Sequence, residues 1–262
     1  MLYIEKKATP RVVNTKVAEI KSSPQWRGVD PQDTEALRAL FDELPKDNIR
    51  TSLYEEQHGL CAYCMKRLNE DGSHTKIEHW LPLSKNKENA LNYRNFFLVC
   101  EGGEDVSVDS FAGKRILCCD ASKGNREIQL DPQDREMMSH ITYTEGGVIE
   151  FRPSAKATRW NPESKESLNR ELNEVLCLNG KLEKNNSRTD TATQVIKGRR
   201  DAWSVGKDII RRLKAKDAYS SAQIRKHIEA LQSAQPREPF VGVTIFYLER
   251  AYRRRKAAEQ SR

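Results

Sequence analysis

Residues 76–84 of this 262-residue chain read KIEHWLPLS. Apolar side chains flank Glu78 and His79, and the pattern predicts a β-strand that Pro82 ends. Neighbouring side chains of a strand point to opposite faces, so the carboxylate and the imidazole can serve different partners. Carboxylates bind hard divalent cations, and histidine is the side chain that titrates near neutral pH. The pair therefore indicates hydrolytic chemistry, with a functionless surface pair as the alternative.

Cysteines lie on both sides of this strand. Cys61 and Cys64 precede it in the segment CAYC, and Cys100 and the doublet Cys118-Cys119 follow it. Two thiolates separated by two residues can reach one ion from a single turn, and four thiolates suit a tetrahedral structural zinc. Glycine and acidic residues between Cys100 and Cys119 predict a loop that need not separate the two thiols in space. Buried free thiols and a thioredoxin-like redox pair are the alternatives, although no βαβ pattern surrounds the first pair.

This arrangement resembles the HNH family of metal-dependent nucleases, which have the ββα-metal fold. The matching residues are Glu78-His79, Asn95 and the segment CDASKG at residues 119–124. The resemblance implies that His79 is the general base of phosphodiester hydrolysis. It also implies that the Asn95 side chain accepts a hydrogen bond from His79 and orients its ring, although a turn or capping asparagine would look the same in sequence.

Two residues of the segment 119–124 receive roles from the same resemblance. Asp120 would join Glu78 as a ligand of the catalytic cation, and this oxygen-rich pair favours Mg²⁺ or Mn²⁺ over a catalytic zinc. Lys123 would contact the scissile phosphate. The family commonly has Asp or His in place of Glu78 and His or Asn in place of Asp120, so the metal's identity stays open. Asp120 as a helix cap and Lys123 as an ordinary surface lysine are the alternatives.

The cysteine doublet leaves two choices for the fourth zinc ligand. We choose Cys119 because it stands immediately before Asp120, as the motif requires, and we interpret Cys118 as a packed or spare thiol. Cys177 lies in an apolar segment and is predicted to be a core residue. The expected structural zinc ligands are Cys61, Cys64, Cys100 and Cys119.

A second likeness extends beyond the motif. Residues 93–98, 176–179 and 239–241 resemble the PtuB-type HNH proteins of bacterial anti-phage systems (Septu and some retron operons). This resemblance implies a partner ATPase of the PtuA type and an effector nuclease that damages nucleic acid, DNA rather than RNA. The alternative is a zinc-stabilised nucleic-acid-binding module without catalysis.

Composition places limits on the partners and the compartment. No run of eighteen apolar residues predicts a membrane span, and residues 1–7 lack the pattern of a signal peptide, so a cytoplasmic location is expected. Cytoplasmic cysteines bind metals more often than they form disulfides. Residues 201–262 hold 14 Lys and Arg against 7 Asp and Glu, so the whole net charge of +7 lies there. This excess favours a polyanionic partner, and a solvated helical face is the alternative.

The chain is expected to have an α+β fold, with a ββα-metal HNH core and a structural zinc knuckle. Residues 1–57 would form an N-terminal helical brace. Its first 29 residues would hold a strand and a short helix, Asp30 or Asp33 would cap a helix that Pro45 ends, and a further helix would run from about Asn48 to Gln57. Residues 58–151 would form the nuclease core and end in a β-hairpin whose strands flank a Gly-Gly turn. Residues 152–262 would form a basic helical region.

Overall fold

The computed structural model describes residues 1–104, 117–155, 157–180 and 195–261. These residues form helices and two antiparallel sheets of two strands each, which agrees with the predicted α+β class. The helices are α1 (Arg11–Ser22), α2 (Pro24–Gly28), α3 (Thr34–Asp42), α4 (Lys46–Glu56), α5 (Cys119–Lys123), α6 (Arg135–Ser139), α7 (Pro162–Arg170), α8 (Val195–Ala215), α9 (Ser221–Ser233) and α10 (Val241–Gln260). The strands are β1 (Thr75–His79), β2 (Phe96–Cys100), β3 (Ile141–Tyr143) and β4 (Ile149–Phe151).

The first 29 residues contain two helices, and the strand expected there is absent. Val13 and Ile20 of α1 are both buried, and a spacing of seven places them on the same face of a helix. Ser23 then caps α2 by accepting a hydrogen bond from the Trp26 backbone at 3.1 Å. The helical period of the apolar residues and a good cap therefore decide the local structure.

Helices α3 and α4 were predicted from the sequence and form the side of the molecule next to β1. Asp33 caps α3 by accepting a hydrogen bond from the Ala36 backbone at 2.9 Å, and Phe41 on its inner face is buried. Gly59 follows α4 with φ +73°, a conformation that glycine adopts without strain. Both helices are confirmed.

Strands β1 and β2 pair antiparallel, and α5 follows them in the chain. In the register of this pair Glu78 lies opposite Phe97, and His79 lies opposite Phe96. Two short 3₁₀ turns, Lys87–Leu91 and Tyr93–Asn95, lead the chain back from β1 to β2. The C-terminal end of β2 and the N-terminal end of α5 carry the cysteines described below.

The predicted hairpin and the predicted C-terminal helices are also present. Strands β3 and β4 pair antiparallel around the Gly-Gly turn. Asn161 caps α7, which continues into one turn of π-helix at Glu171–Val175. The long helix α10 packs against both α8 and α9. Most of the basic side chains in α8, α9 and α10 are exposed.

One hydrophobic core runs through all three segments that the sequence analysis separated. Its members include Phe41 of α3, Phe97 of β2, Phe151 of β4 and Leu248 of α10. Arg199 of α8 is buried within the same region. Its guanidinium donates to the Gly147 carbonyl at 2.7 Å and to the Leu178 carbonyl, which ties the C-terminal helices to the hairpin. The boundaries at 57/58 and 151/152 therefore do not divide separate cores.

None of the described helices combines the length and the apolar character needed to span a bilayer.

Candidate functional site

The four predicted cysteine ligands lie together in a buried cluster. The Sγ atoms of Cys61, Cys64, Cys100 and Cys119 are all within 4.8 Å of one another. Three of the separations are 3.9 Å (Cys61 to Cys119), 3.7 Å (Cys64 to Cys100) and 3.8 Å (Cys100 to Cys119). A tetrahedral zinc with Zn–S bonds of about 2.3 Å requires sulfur–sulfur edges of about 3.8 Å. The cluster therefore has the dimensions of a Cys₄ zinc site.

The backbone around the first cysteine pair is shaped to hold an ion. The Met65 amide donates to the Cys61 carbonyl at 3.0 Å, and Met65 has φ 65°, which closes the turn. The Lys66 amide points at Cys64 Sγ at 3.4 Å. A backbone N–H directed at sulfur stabilises a thiolate, as expected for a metal ligand.

The second half of the cluster depends on a close backbone approach at Gly102. The Cys118 amide donates to the Gly102 carbonyl at 2.8 Å, which brings the end of β2 next to the start of α5. A Cβ atom at Gly102 would lie 2.2 Å from the Cys118 carbonyl oxygen, so only glycine fits there. Residues 105–116, where most of the predicted loop falls, lie outside the described residues.

The thiol chemistry also fits a metal. Hydrogen bonds with Cys100 raise the pKa of the Cys64 and Cys119 thiols well above their usual range, because crowded sulfurs cannot all ionise. A zinc ion reverses this effect by stabilising all four thiolates. Cys118 Sγ lies 3.7 Å from Cys119 Sγ but is not part of the four-sulfur cluster. Cys177 is buried in the hydrophobic core, as predicted.

Next to the cysteine cluster lies a groove of about 700 Å³. Three of the predicted site residues, Glu78, His79 and Asp120, line it together. Residues of α3, α4, β1, the segment after β1 and the start of α5 line this groove. The β1–β2 pair and α5 therefore bring residues 42 positions apart in sequence to one surface.

Glu78 is buried and has two charged neighbours, the Lys123 ammonium and the Asp120 carboxylate. Its Oε1 atom is 2.6 Å from the Lys123 ammonium and accepts a hydrogen bond from the Tyr63 hydroxyl at 3.3 Å. Burial raises the pKa of Glu78 to about 8, and the neighbouring Asp120 carboxylate adds to the rise, while Lys123 opposes it. The combined effect of burial and Asp120 on the pKa of Glu78 is larger than the opposing effect of Lys123. Near neutral pH Glu78 therefore favours a bound proton or an additional cation beside it.

The position of Lys123 corrects its predicted role as a phosphate contact. Only 1% of its side chain is exposed, and its ammonium lies against Glu78, so it is not available to a phosphate in the groove. The ammonium also donates to the His79 carbonyl at 3.2 Å. Lys123 thus joins α5 to β1 and compensates the charge of Glu78.

His79 is held in one orientation by a backbone carbonyl and two aromatic rings. Its Nε2 atom lies 3.1 Å from the Ala90 carbonyl oxygen, which can only accept, so Nε2 carries the proton. Nδ1 is then the nitrogen that can accept a proton. The imidazole packs edge-to-face on Phe41 and Phe96, with ring centroids 4.5 and 4.9 Å away. Burial lowers the pKa of His79 to about 4, although the bond to Ala90 opposes the shift, so the ring is neutral at pH 7.

Asn95 does not orient the His79 ring as predicted. Its Oδ1 accepts from the Leu81 amide at 2.8 Å, and its Nδ2 donates to the carbonyls of Leu81 (3.0 Å) and Asn89 (3.1 Å). These three hydrogen bonds of the Asn95 carboxamide hold the chain in place just after β1. Asn95 therefore positions the strand end that carries His79, and Ala90 supplies the bond to the ring.

Glu78 and Asp120 together fit a hard divalent cation. Two adjacent carboxylates on one groove wall offer oxygen ligands, which Mg²⁺ and Mn²⁺ prefer. The ion pair with Lys123 occupies only Oε1 of Glu78. Asp120 lies in the first turn of α5 and is half-buried, so its carboxylate is accessible from the groove.

Several residues at this groove were not identified from the sequence. Phe41, Arg38 and Arg50 come from α3 and α4, which carry no catalytic pattern in the sequence. Tyr63 lies between Cys61 and Cys64, and the cysteine motif assigns no role to its hydroxyl, which bonds to Glu78. Ala90 acts through its backbone, so its residue type gives no signal. Only the tertiary packing of helices against β1 reveals these residues.

A scan of the sequence against models of known protein families finds no match. The functional proposal therefore rests on the side chains described above.

Proposed function

We propose that this protein is a metal-dependent HNH endonuclease that hydrolyses phosphodiester bonds of nucleic acid, with DNA as the substrate. The supporting observation is the shared groove of His79, Glu78 and Asp120 on a β1–β2 pair followed by α5. A neutral imidazole with a free acceptor nitrogen lies there beside two carboxylates. This combination supplies both a base and a cation site, as hydrolysis of a phosphodiester requires.

His79 acts as the general base in this proposal. Ala90 holds the Nε2 proton, so Nδ1 takes the proton from the attacking water. The lowered pKa keeps the ring in its basic form before substrate arrives. The negative charge of a bound phosphate raises the pKa of a neighbouring imidazole and so improves it as a proton acceptor at the moment of reaction.

Glu78 and Asp120 would hold Mg²⁺ or Mn²⁺, and the four cysteines would hold a structural zinc. A divalent cation at such a site neutralises charge on the phosphate and stabilises the leaving oxygen. Lys123 compensates the negative charge of the carboxylates from below. Asn95 holds the end of β1 so that His79 faces the groove.

Cleavage of a supercoiled plasmid tests the proposal. The purified protein should convert the plasmid to open-circular or linear forms with Mg²⁺ or Mn²⁺ present. His79→Ala should lose at least about 100-fold of this activity, the usual contribution of a general base. Zinc content and the thermal unfolding temperature serve as controls for folding. Equal cleavage by both proteins would reject His79 as the base.

One observation favours a second candidate, a nucleic-acid-binding module without catalysis. The Lys123 ammonium already lies 2.6 Å from Oε1 of Glu78, so a positive charge is present beside this carboxyl group without any divalent cation. Such a module would bind nucleic acid equally well with and without His79, and it would leave plasmid and RNA substrates intact. The same plasmid assay, repeated with a single-stranded RNA, separates the two candidates.

We also propose that the nuclease is the effector of an anti-phage complex with a PtuA-type ATPase, a proposal supported by the PtuB-like segments. These segments lie inside the molecule. The Phe240 amide donates to the Met65 carbonyl at 3.0 Å, and the Cys119 amide donates to the Leu176 carbonyl at 2.9 Å. They brace the cysteine cluster, so a partner would bind elsewhere. Co-expression with such an ATPase, followed by size-exclusion chromatography, tests the association.

A further inference from the structure

The wall of the groove that α3 and α4 form carries positive charge. Arg38, Lys46 and Arg50 of α3 and α4 all line this wall. Lys46 is committed, because its ammonium pairs with Asp42 at 3.2 Å and lies 2.8 Å from the centre of the Phe41 ring. Arg38 and Arg50 are different.

Arg38 is an exposed arginine whose guanidinium lacks a polar partner. Within the described parts of the chain it makes no ion pair and no side-chain hydrogen bond, and its contact is with the face of Phe41, 5.7 Å from the ring centre. Phe41 contacts the His79 imidazole on another side. A single aromatic ring therefore separates the Arg38 guanidinium from the candidate base.

Arg50 has an unsatisfied donor at the same groove. Its Nε atom is buried and has no hydrogen-bond partner among the described residues. Its Nη1 atom is 3.5 Å from Asp47, whose side chain is fully exposed, so this ion pair is weak. Arg50 therefore brings to the groove a positive charge that this exposed ion pair neutralises only weakly.

The geometry points to Arg38 and Arg50 as the residues that bind the phosphate backbone of the nucleic acid in this groove, the role that was predicted for Lys123. Guanidinium groups form paired hydrogen bonds with phosphate oxygens and stay charged at any physiological pH. Glu78 contacts Tyr63 and Lys123, whereas His79 contacts Phe41. Arg38 lies near the candidate base across the Phe41 ring, whereas Arg50 packs beside Gly72, just before β1, so the two guanidinium groups lie at different points along the groove. This inference deepens the proposed nuclease function and rests on it for the identity of the ligand.

Binding measured without cleavage tests the inference. A fluorescein-labelled 30-base-pair DNA duplex is titrated with the full-length protein in Ca²⁺, and affinity is followed by anisotropy between 50 and 200 mM salt. Arg38→Gln combined with Arg50→Gln should weaken binding about tenfold or more. It should also reduce the slope of log affinity against log salt by about one to two, since each lost phosphate contact removes about one unit.

A charge-matched control separates this groove from the basic helices. Arg253→Gln with Arg254→Gln removes two exposed positive charges from α10 and should leave affinity and slope nearly unchanged. Arg38→Gln alone covers the case in which the half-buried Arg50 is needed for folding. Unchanged binding by the groove variants, a loss confined to the α10 variant, or no binding by the parent protein would each overturn the inference.

Cleavage kinetics distinguish the inference from the nuclease proposal. In a cleaving parent, the groove variants should raise KM with little change in kcat, because they lose substrate binding and keep His79. A parent that binds DNA through Arg38 and Arg50 but never cleaves would refute the nuclease and leave the binding groove intact.

Discussion

Glu78 is a side chain whose charge state should control the stability of the protein. In the folded protein its pKa is about 8, whereas in the unfolded chain it ionises near its ordinary value of 4.5. The folded state therefore binds the extra proton between these values, and this residue lowers the free energy of unfolding as pH rises through that window. His79 has the opposite effect between about pH 4 and 6.5, so Glu78 is seen most clearly from pH 6.5 to 8.

We expect Glu78→Gln to remove this dependence. The free energy of unfolding of the parent minus that of the variant should fall between pH 6.5 and 8, by at most about 1.4 kcal/mol per pH unit. Urea denaturation in buffer free of Mg²⁺ and Mn²⁺ measures the difference, and other groups cancel because they titrate in both proteins. Added Mn²⁺ at pH 8 should stabilise the parent alone. A difference that stays constant with pH would contradict the raised pKa.

Individual side chains show how far a sequence can identify a site. Glu78, His79 and Asp120 could be selected because adjacent titratable groups inside a cysteine frame form a recognisable pattern. Lys123 was assigned to phosphate because a lysine at this position looks exposed in sequence. Its burial depends on how α5 packs beside β1, which places its ammonium 2.6 Å from Glu78 and within hydrogen-bond distance of the His79 carbonyl. The arginines of the groove depend on packing in the same way.

Among the local elements, the cysteine cluster joins the turn at 61–64, the end of β2 and the start of α5. The free energy of zinc binding then becomes folding free energy. Cys119→Ala should reduce bound zinc from about one ion per chain to well below half, and should lower stability by several kcal/mol. Cys118→Ala is the matched control, since its sulfur lies outside the four-sulfur cluster. Zinc analysis of the two purified variants measures the difference, and equal zinc loss would show that the doublet shares the ion.

Helices and strands with strong local signals were predictable. Helix α3 has an aspartate cap and a helical apolar period, and the hairpin of β3 and β4 has a Gly-Gly turn, so local physics agrees with the fold. The first 29 residues were misread because alternating and helical spacings overlap in a short apolar pattern. The packing of α3 on the turn at Lys87–Leu91 and of α4 on β2 could not be predicted from sequence, since it depends on contacts distant in the chain.

For the chain as a whole, Arg199 connects the C-terminal helices to the rest of the core. Arg199→Met would leave the carbonyls of Gly147 and Leu178 without this donor in a buried site, and it should lower the free energy of unfolding by about 2–4 kcal/mol. Arg200→Met, at the exposed neighbouring position, should change it by less than about 0.5 kcal/mol. Chemical denaturation of both variants provides the comparison. Equal effects would mean that α8 is not anchored through Arg199.

The hydrogen bond between Gly102 and Cys118 has a consequence for protein engineering. It brings the end of β2 and the start of α5 together at one point, beside Cys100 and Cys119 of the four-sulfur cluster. The distance between these two sulfurs is set by that junction and not by the number of residues that separate them in sequence. An engineered chain must therefore keep glycine at residue 102, because a Cβ atom there would lie 2.2 Å from the Cys118 carbonyl oxygen and would push the two halves of the cluster apart.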